Sequence, residues 1–144
     1  MKYRCELVIN LPREQVIALF DNTENMYKWQ GGLQSFAAIS GEPGQPGAKS
    51  RMVYDMNGRS VTMIETITKR NLPDEFVSNY KAKGVMNWVH NYFYEDGPDK
   101  TRWVMDSEFK FSGMMRMLGV VMRSSFPKQT QETMSRFKKF AESV

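Results

Sequence analysis

Hydrophobic and polar residues alternate from the start of the chain: Tyr3, Cys5, Leu7 and Ile9 interleave with Lys2, Arg4, Glu6 and Asn10. A period of two marks a strand with one buried face. Leu11 breaks the rhythm. Pro12 suits the first turn of a helix, where a missing N–H costs nothing, and Glu14 favours the positive end of the helix dipole. Val16, Leu19 and Phe20 recur at helical spacing and predict a short helix from Pro12 to about Phe20. Asp21-Asn22-Thr23 supplies stop and restart chemistry for a second short helix through Trp29, which Gly31-Gly32 ends.

From Gln34 to Phe111 the pattern is a series of strands divided by turn signals: Gly41 to Gly47, Asn57-Gly58, Asn71 to Asp74, Lys83 to Val85 and Asp96 to Asp99. Asn57-Gly58 is the strongest signal, because both residues tolerate the positive φ of a tight hairpin. Short connections of this kind imply an antiparallel meander. Its predicted inward residues are Met52, Tyr54 and Met56; Val61, Met63 and Ile67; Phe76 and Tyr80; and Trp103, Met105, Phe109 and Phe111. The segment Asn87 to Glu95 is apolar on both faces, with Trp88, His90, Tyr92 and Tyr94 on one and Val89 and Phe93 on the other, so its orientation stays open.

Beyond Gly113 the spacing is helical to the end of the chain. Met114, Leu118 and Val121 form one stripe, and Met134, Phe137 and Ala141 resume one after Pro127. Pro127 is expected to kink or break this helix, since proline removes a backbone donor and clashes with the preceding turn. The part before the proline is apolar on nearly every side, so it is expected to line or gate an apolar space while the second part seals the sheet.

A chain of 144 residues is long enough to bury a core without disulfides or metal, and one domain spanning residues 1–144 is expected. No stretch approaches the length of a membrane span, no export signal is legible at the N-terminus, and the lone Cys5 suits a reducing compartment; a cytoplasmic protein is the expectation. Twelve methionines are unusual and fit either a loosely specified core or an adaptable binding surface. The net charge of +4 lies entirely beyond residue 112, where Arg116, Arg123, Lys128, Arg136, Lys138 and Lys139 face only Glu132 and Glu142. Such a face is ordinarily solvated, though it can attract phosphates or an anionic membrane.

One strand, two short helices, a meander and a long terminal helix is an element order that resembles the START-like (Bet v 1-like) superfamily, also called SRPBCC or polyketide cyclase-like proteins. The run Pro12 to Asp21 followed by Trp29 is similar to the family's opening, as are the Gly41 to Gly47 loop, Glu65-Thr66-Ile67 with Pro73 after it, and the Asp96 to Thr101 hairpin. The similarity covers roughly residues 3 to 142. It implies an α+β helix-grip fold, a curved antiparallel sheet of about seven strands in the order β-α-α-β-β-β-β-β-β-α around a long C-terminal helix. It also implies a ligand cavity between helix and sheet, but no single activity, because such folds host carriers, receptors and cyclases alike.

The Gly41 to Gly47 loop lacks the Gly-Lys-Ser/Thr spacing of a phosphate-binding loop and is read as a cavity-mouth loop. With one histidine and one isolated cysteine, neither a metal site nor a cofactor is expected, and no catalytic triad is legible. His90 is a general-base candidate only if it faces the cavity, because imidazoles titrate near neutrality. Glu65 shares its register with Val61, Met63 and Ile67; an inward carboxylate there predicts an Arg or Tyr partner, or a bulge that turns it outward.

The leading expectation is binding or transport of a hydrophobic small molecule of lipid, polyketide or isoprenoid type. The expected lining is Trp29, Met52, Tyr54, Met56, Met63, Tyr80, Met86, Met105, Phe109, Met114, Leu118 and Met122, with Trp29, the Val85-Met86 turn and the glycine-rich loop at the entrance. One alternative is a cyclase or dehydrase using His90, Glu65, Tyr54 or Tyr80 without metal or nucleotide. Another is a protein- or membrane-interaction module using the basic, Met-rich terminal helix. Nucleic acid is not an expected partner, membrane contact is open, and the chain is expected to be a monomer or homodimer.

Overall fold

Alternation at the N-terminus produces β1 (Lys2–Ile9), and the computed structural model describes the whole chain, residues 1–144. After β1 come α1 (Arg13–Phe20), a 3-10 turn (Thr23–Asn25) and α2 (Met26–Trp29). Pro12 stands just before α1, and its carbonyl accepts from the N–H groups of Gln15 and Val16. The Asn22 side chain caps the 3-10 turn by accepting from the Glu24 N–H at 3.0 Å. The meander is β2 (Leu33–Ser40), β3 (Lys49–Met56), β4 (Arg59–Asn71), β5 (Glu75–Ala82), β6 (Val85–Glu95) and β7 (Thr101–Phe111). Two helices end the chain, α3 (Met115–Val121) and α4 (Ser125–Ser143).

The seven strands form one antiparallel sheet in the order β1-β7-β6-β5-β4-β3-β2, so the first strand is returned to the edge beside the last. Asn57 and Gly58 take φ of 54° and 85° and close the β3–β4 hairpin. The inner face is set by register: Cys5 lies opposite Met105, Met52 opposite Met63, and Glu65 opposite Tyr80. This also settles β6. Val89 lies opposite Ser107 and Phe93 opposite Trp103, so Asn87, Val89, Asn91 and Phe93 face inward and Met86, Trp88, His90, Tyr92 and Tyr94 face outward.

The helix α4 lies against the inner face and buries Met134, Phe137 and Ala141 on one stripe. Its seat on β1 is polar as well as apolar: Tyr3 and Thr130 hydroxyls share a hydrogen bond of 2.7 Å, and the Lys138 ammonium donates to the Val8 carbonyl. Phe20 lies at the centre of the aromatic core, with ring centroids 5.0 Å from Phe93, 5.8 Å from Trp103 and 6.1 Å from Phe137. Trp103, Phe93, Phe137, Ile9, Met52 and Met134 are essentially without exposure, which makes this end of the grip solid.

The terminal helix does divide, but not at Pro127. The interruption is at Met122 to Ser124, and Pro127 occupies the first turn of α4, where its missing N–H costs nothing. The Ser125 hydroxyl and N–H both return to the Met122 carbonyl, at 2.8 and 2.9 Å, fixing the corner between α3 and α4.

Candidate functional site

The middle of the concave face is polar where a sheet interior is ordinarily apolar. Glu65 on β4 is buried, and the Tyr80 hydroxyl on β5 donates to its Oε2 at 2.8 Å. Ser78, two residues before Tyr80 on the same face, is fully buried, and its Oγ has no hydrogen bond of ordinary geometry. Burial pushes the Glu65 carboxyl above the usual carboxylate range, opposed in part by the nearby Tyr80 and Ser78 hydroxyls. Burial also drives the Tyr80 phenol well above its ordinary value, with the Glu65 charge adding to it. Tyr54 is raised for the same two reasons, and its hydroxyl donates to Gln30 Oε1.

Two further polar pairs lie on this face. The Ser107 hydroxyl donates to Asn87 Oδ1 at 2.8 Å, and the Trp103 indole N–H to Asn91 Oδ1 at 2.9 Å. Around them the wall is apolar, formed by Met52, Met63, Met105 and the ring of Phe109, which stacks on Phe126 of α4 at 4.8 Å. Tyr54, Met63, Tyr80, Asn87, Met105 and Phe109 all point inward yet keep partial exposure, so this part of the concave face is not packed shut. The arrangement can bind an apolar body and offer a carboxyl, a phenol and a hydroxyl to its polar end.

Residues 2–142 match the family described as polyketide cyclase / dehydrase and lipid transport. The chain belongs to that family. Its START-like, Bet v 1-like helix-grip fold is shared by solved structures of low sequence identity. One is TTHA0849 from Thermus thermophilus, at TM-score 0.80 and 15% identity, covering 99% of this chain and 98% of that one. Another is an aromatase/cyclase from Streptomyces, at 0.79 and 10%, covering 99% and 93%. A third is a START superfamily protein from Mycobacterium smegmatis, at 0.76 and 12%, covering 99% and 97%. No curated protein sequence matches the chain.

Within this family's fold, the structure gathers Met52, Tyr54, Met63, Glu65, Tyr80, Met105 and Phe109 on one face and leaves other expected residues elsewhere. His90 and Met86 are on the outer face, because β6 turns its alternate set inward. There His90 Nε2 pairs with Glu75 at 2.6 Å and its ring stacks on Tyr92 at 4.1 Å, far from any inward group. Lys69, 2.5 Å from Glu75, and His90 together hold the Glu75 carboxyl below its usual range. Trp29 is no entrance residue: it is buried in the core, 5.0 Å from Phe137. Met56 sits exposed at the hairpin rim, Met114 and Leu118 are exposed, and Met122 is partly buried at the α3–α4 corner.

Ser78, Asn87, Asn91, Ser107 and Gln30 were not legible as site residues, because a hydrophobicity pattern counts a polar residue as outward by default. In β6, where both sets of side chains include large apolar residues, that rule left the inward face open. The available signal was the uninterrupted register from Asn87 through Val89 and Asn91 to Phe93. Two surface hollows lie outside this site. One, about 220 Å³, is lined by Leu11, Gln15, Leu19 and Ala141. The other, about 330 Å³, is lined by Lys28, Arg136, Lys139 and Phe140. No three His, Cys, Asp or Glu side chains converge in a way that could hold a metal ion.

Proposed function

We propose that the protein binds a hydrophobic small molecule, of lipid, polyketide or isoprenoid type, on the concave face between the sheet and α4. The observation that carries this reading is Glu65, a buried carboxyl with a raised pKa, paired with Tyr80 in an apolar face that stays partly open. An ionised carboxylate would be costly there, whereas a neutral one donates a hydrogen bond to a carbonyl or hydroxyl oxygen. Met63, Met105 and Phe109 supply adaptable apolar contact for the rest of the molecule. The family, which joins cyclases with lipid transport, supports the general class of ligand.

Thermal-shift and native mass spectrometry with long-chain ketones, fatty acids and polycyclic phenols test the reading. Ligands are expected to raise the melting temperature and to add one mass equivalent, and Met63→Trp is expected to abolish both effects by filling the face. Absence of any stabilising ligand, or stabilisation untouched by Met63→Trp, would overturn it.

The same carboxyl favours a second reading, a cyclase or dehydrase in which Glu65 acts as general acid toward a ligand oxygen. The similar Streptomyces protein is an aromatase/cyclase. Under this reading Glu65→Gln keeps ligand binding and loses turnover; under simple binding there is no turnover to lose.

A further inference from the structure

The residues left unused by the concave face include the most exposed apolar side chains of the molecule. Met114, Met117, Val120 and Val121, on and just before α3, are 93, 77, 75 and 79% exposed, and Leu118 beside them is also exposed. Burying none of these is costly in water, and the helix is too short to hold itself together by propensity. It is anchored through Gly119 and Met115. The Gly119 backbone lies on the Phe111 ring, where an added Cβ would come within 2.6 Å, and Met115 packs against Gly84 in the β5–β6 turn. The anchors fix the helix and leave Met117, Val120 and Val121 turned away from the protein.

The chain leading into and out of this helix carries charge of one sign. No Asp or Glu occurs between Glu108 and Glu132, while Lys110, Arg116, Arg123 and Lys128 do. Elsewhere sixteen Lys/Arg match sixteen Asp/Glu, so the whole net charge of +4 resides in this stretch. The adjoining β5–β6 turn adds Lys83, with no acidic residue between Glu75 and Glu95. None of these five cations takes part in an ion pair, although the protein forms nine elsewhere.

We infer that α3 is a membrane-docking tip, which inserts Met117, Val120 and Val121 into an anionic bilayer while Arg116 and Arg123 meet lipid phosphates. A second copy of the chain fits poorly, because a two-fold contact would bring two uncompensated cationic stretches face to face. An acidic protein partner is also disfavoured. The tip exposes apolar side chains rather than a row of paired charges, and a bilayer accepts an apolar tip in any rotation. The inference stands on the outer surface of α3, independent of whether the Glu65 face binds a ligand.

The test is co-sedimentation of the full chain with phosphatidylcholine vesicles, with and without a third of phosphatidylglycerol. Binding to the anionic vesicles, weakening with added salt, is the expected result. Arg116→Ser and Arg123→Ser are each expected to weaken it about fivefold. Val120→Ser with Val121→Ser is expected to weaken it tenfold or more. All four side chains are exposed, and the lipid and salt comparisons use the unaltered protein, so the outcome does not hinge on how a variant folds. Equal binding to both vesicle types, no binding, or binding indifferent to these substitutions would overturn the inference. So would a dimer dispersed by Val121→Asp in a protein that ignores vesicles, which would assign the tip to a second copy.

Discussion

The Tyr80 hydroxyl reaches across from β5 to donate to Glu65 on β4 at 2.8 Å, in a polar patch bordered by Met52, Met63, Met105 and Phe109. This bond lowers the carboxyl's pKa, yet burial outweighs it and the net shift is upward. Folding therefore favours the protonated form. Between the ordinary carboxyl value of about 4.5 and the raised value, the native state holds more proton than the unfolded state, so stability falls as pH rises through that window. Glu65→Gln keeps the hydrogen-bond acceptor and removes the titration. It is expected to flatten that slope and to be more stable than the parent at pH 8, with little difference at pH 4. Urea unfolding of both proteins across pH measures it, and parallel pH profiles would contradict a raised Glu65.

Gly32 holds a φ of 80°, and a Cβ built there would lie 2.3 Å from the Asp55 carbonyl oxygen, part of the backbone. The same two residues share a 2.7 Å hydrogen bond from the Asp55 N–H to the Gly32 carbonyl, so neither chain can retreat without losing it. Gly32→Ala is expected to destabilise by about 2–4 kcal/mol, combining left-handed strain with overpacking. Chemical denaturation reads the loss. A change within 0.5 kcal/mol, roughly the scatter of surface substitutions, would mean that the β2–β3 region rearranges freely.

Much of the fold could be read from the sequence because its signals are local. The Asn57-Gly58 hairpin, the alternation of β1 and the turn residues at Asp96 to Asp99 each specify one element without reference to the rest. Two features could not be read this way. The face of β6 depends on its pairing with β5 and β7, since both sets of its side chains are apolar or aromatic enough for a core. The outward set is instead stabilised by neighbours from other strands: Glu75 beside His90, Arg102 over the Tyr94 ring at 4.6 Å, and Lys110 over Trp88 at 5.5 Å. The second is the site of the helix break. Pro127 is compatible with a first turn as well as with a kink, and which applies depends on where α3 meets Phe111, a contact that sequence spacing does not contain.

The outward position of His90 makes a sharp functional prediction. His90→Ala removes one of two partners of Glu75 and leaves Lys69 in place, so the stability cost is expected to stay within about 1 kcal/mol. Ligand-induced stabilisation, and any turnover, are expected to be unchanged. Thermal shift with a ligand that stabilises the parent compares the two proteins directly. Loss of the shift in a folded His90→Ala protein would move the binding site to the outer face and away from Glu65.

Trp103 is fully buried, and its indole N–H has a single acceptor, Asn91 Oδ1 at 2.9 Å. Asn91 in turn donates weakly to the Phe76 carbonyl at 3.4 Å, so the pair is nearly self-contained. Asn91→Leu preserves volume and leaves the indole donor stranded in an apolar interior, at an expected cost of about 1–3 kcal/mol. Trp103→Phe alone removes the donor but also opens a void beside Phe137, whose ring lies 5.3 Å away. With both changes the stranded donor is gone and only the void remains, so the double variant is expected to be less destabilised than the two single changes added together. The difference, about 1–3 kcal/mol, is the coupling of the hydrogen bond. Urea denaturation of the four proteins supplies the cycle. Strict additivity would show that the bond contributes nothing, and that Asn91 faces inward for its shape rather than for its carbonyl.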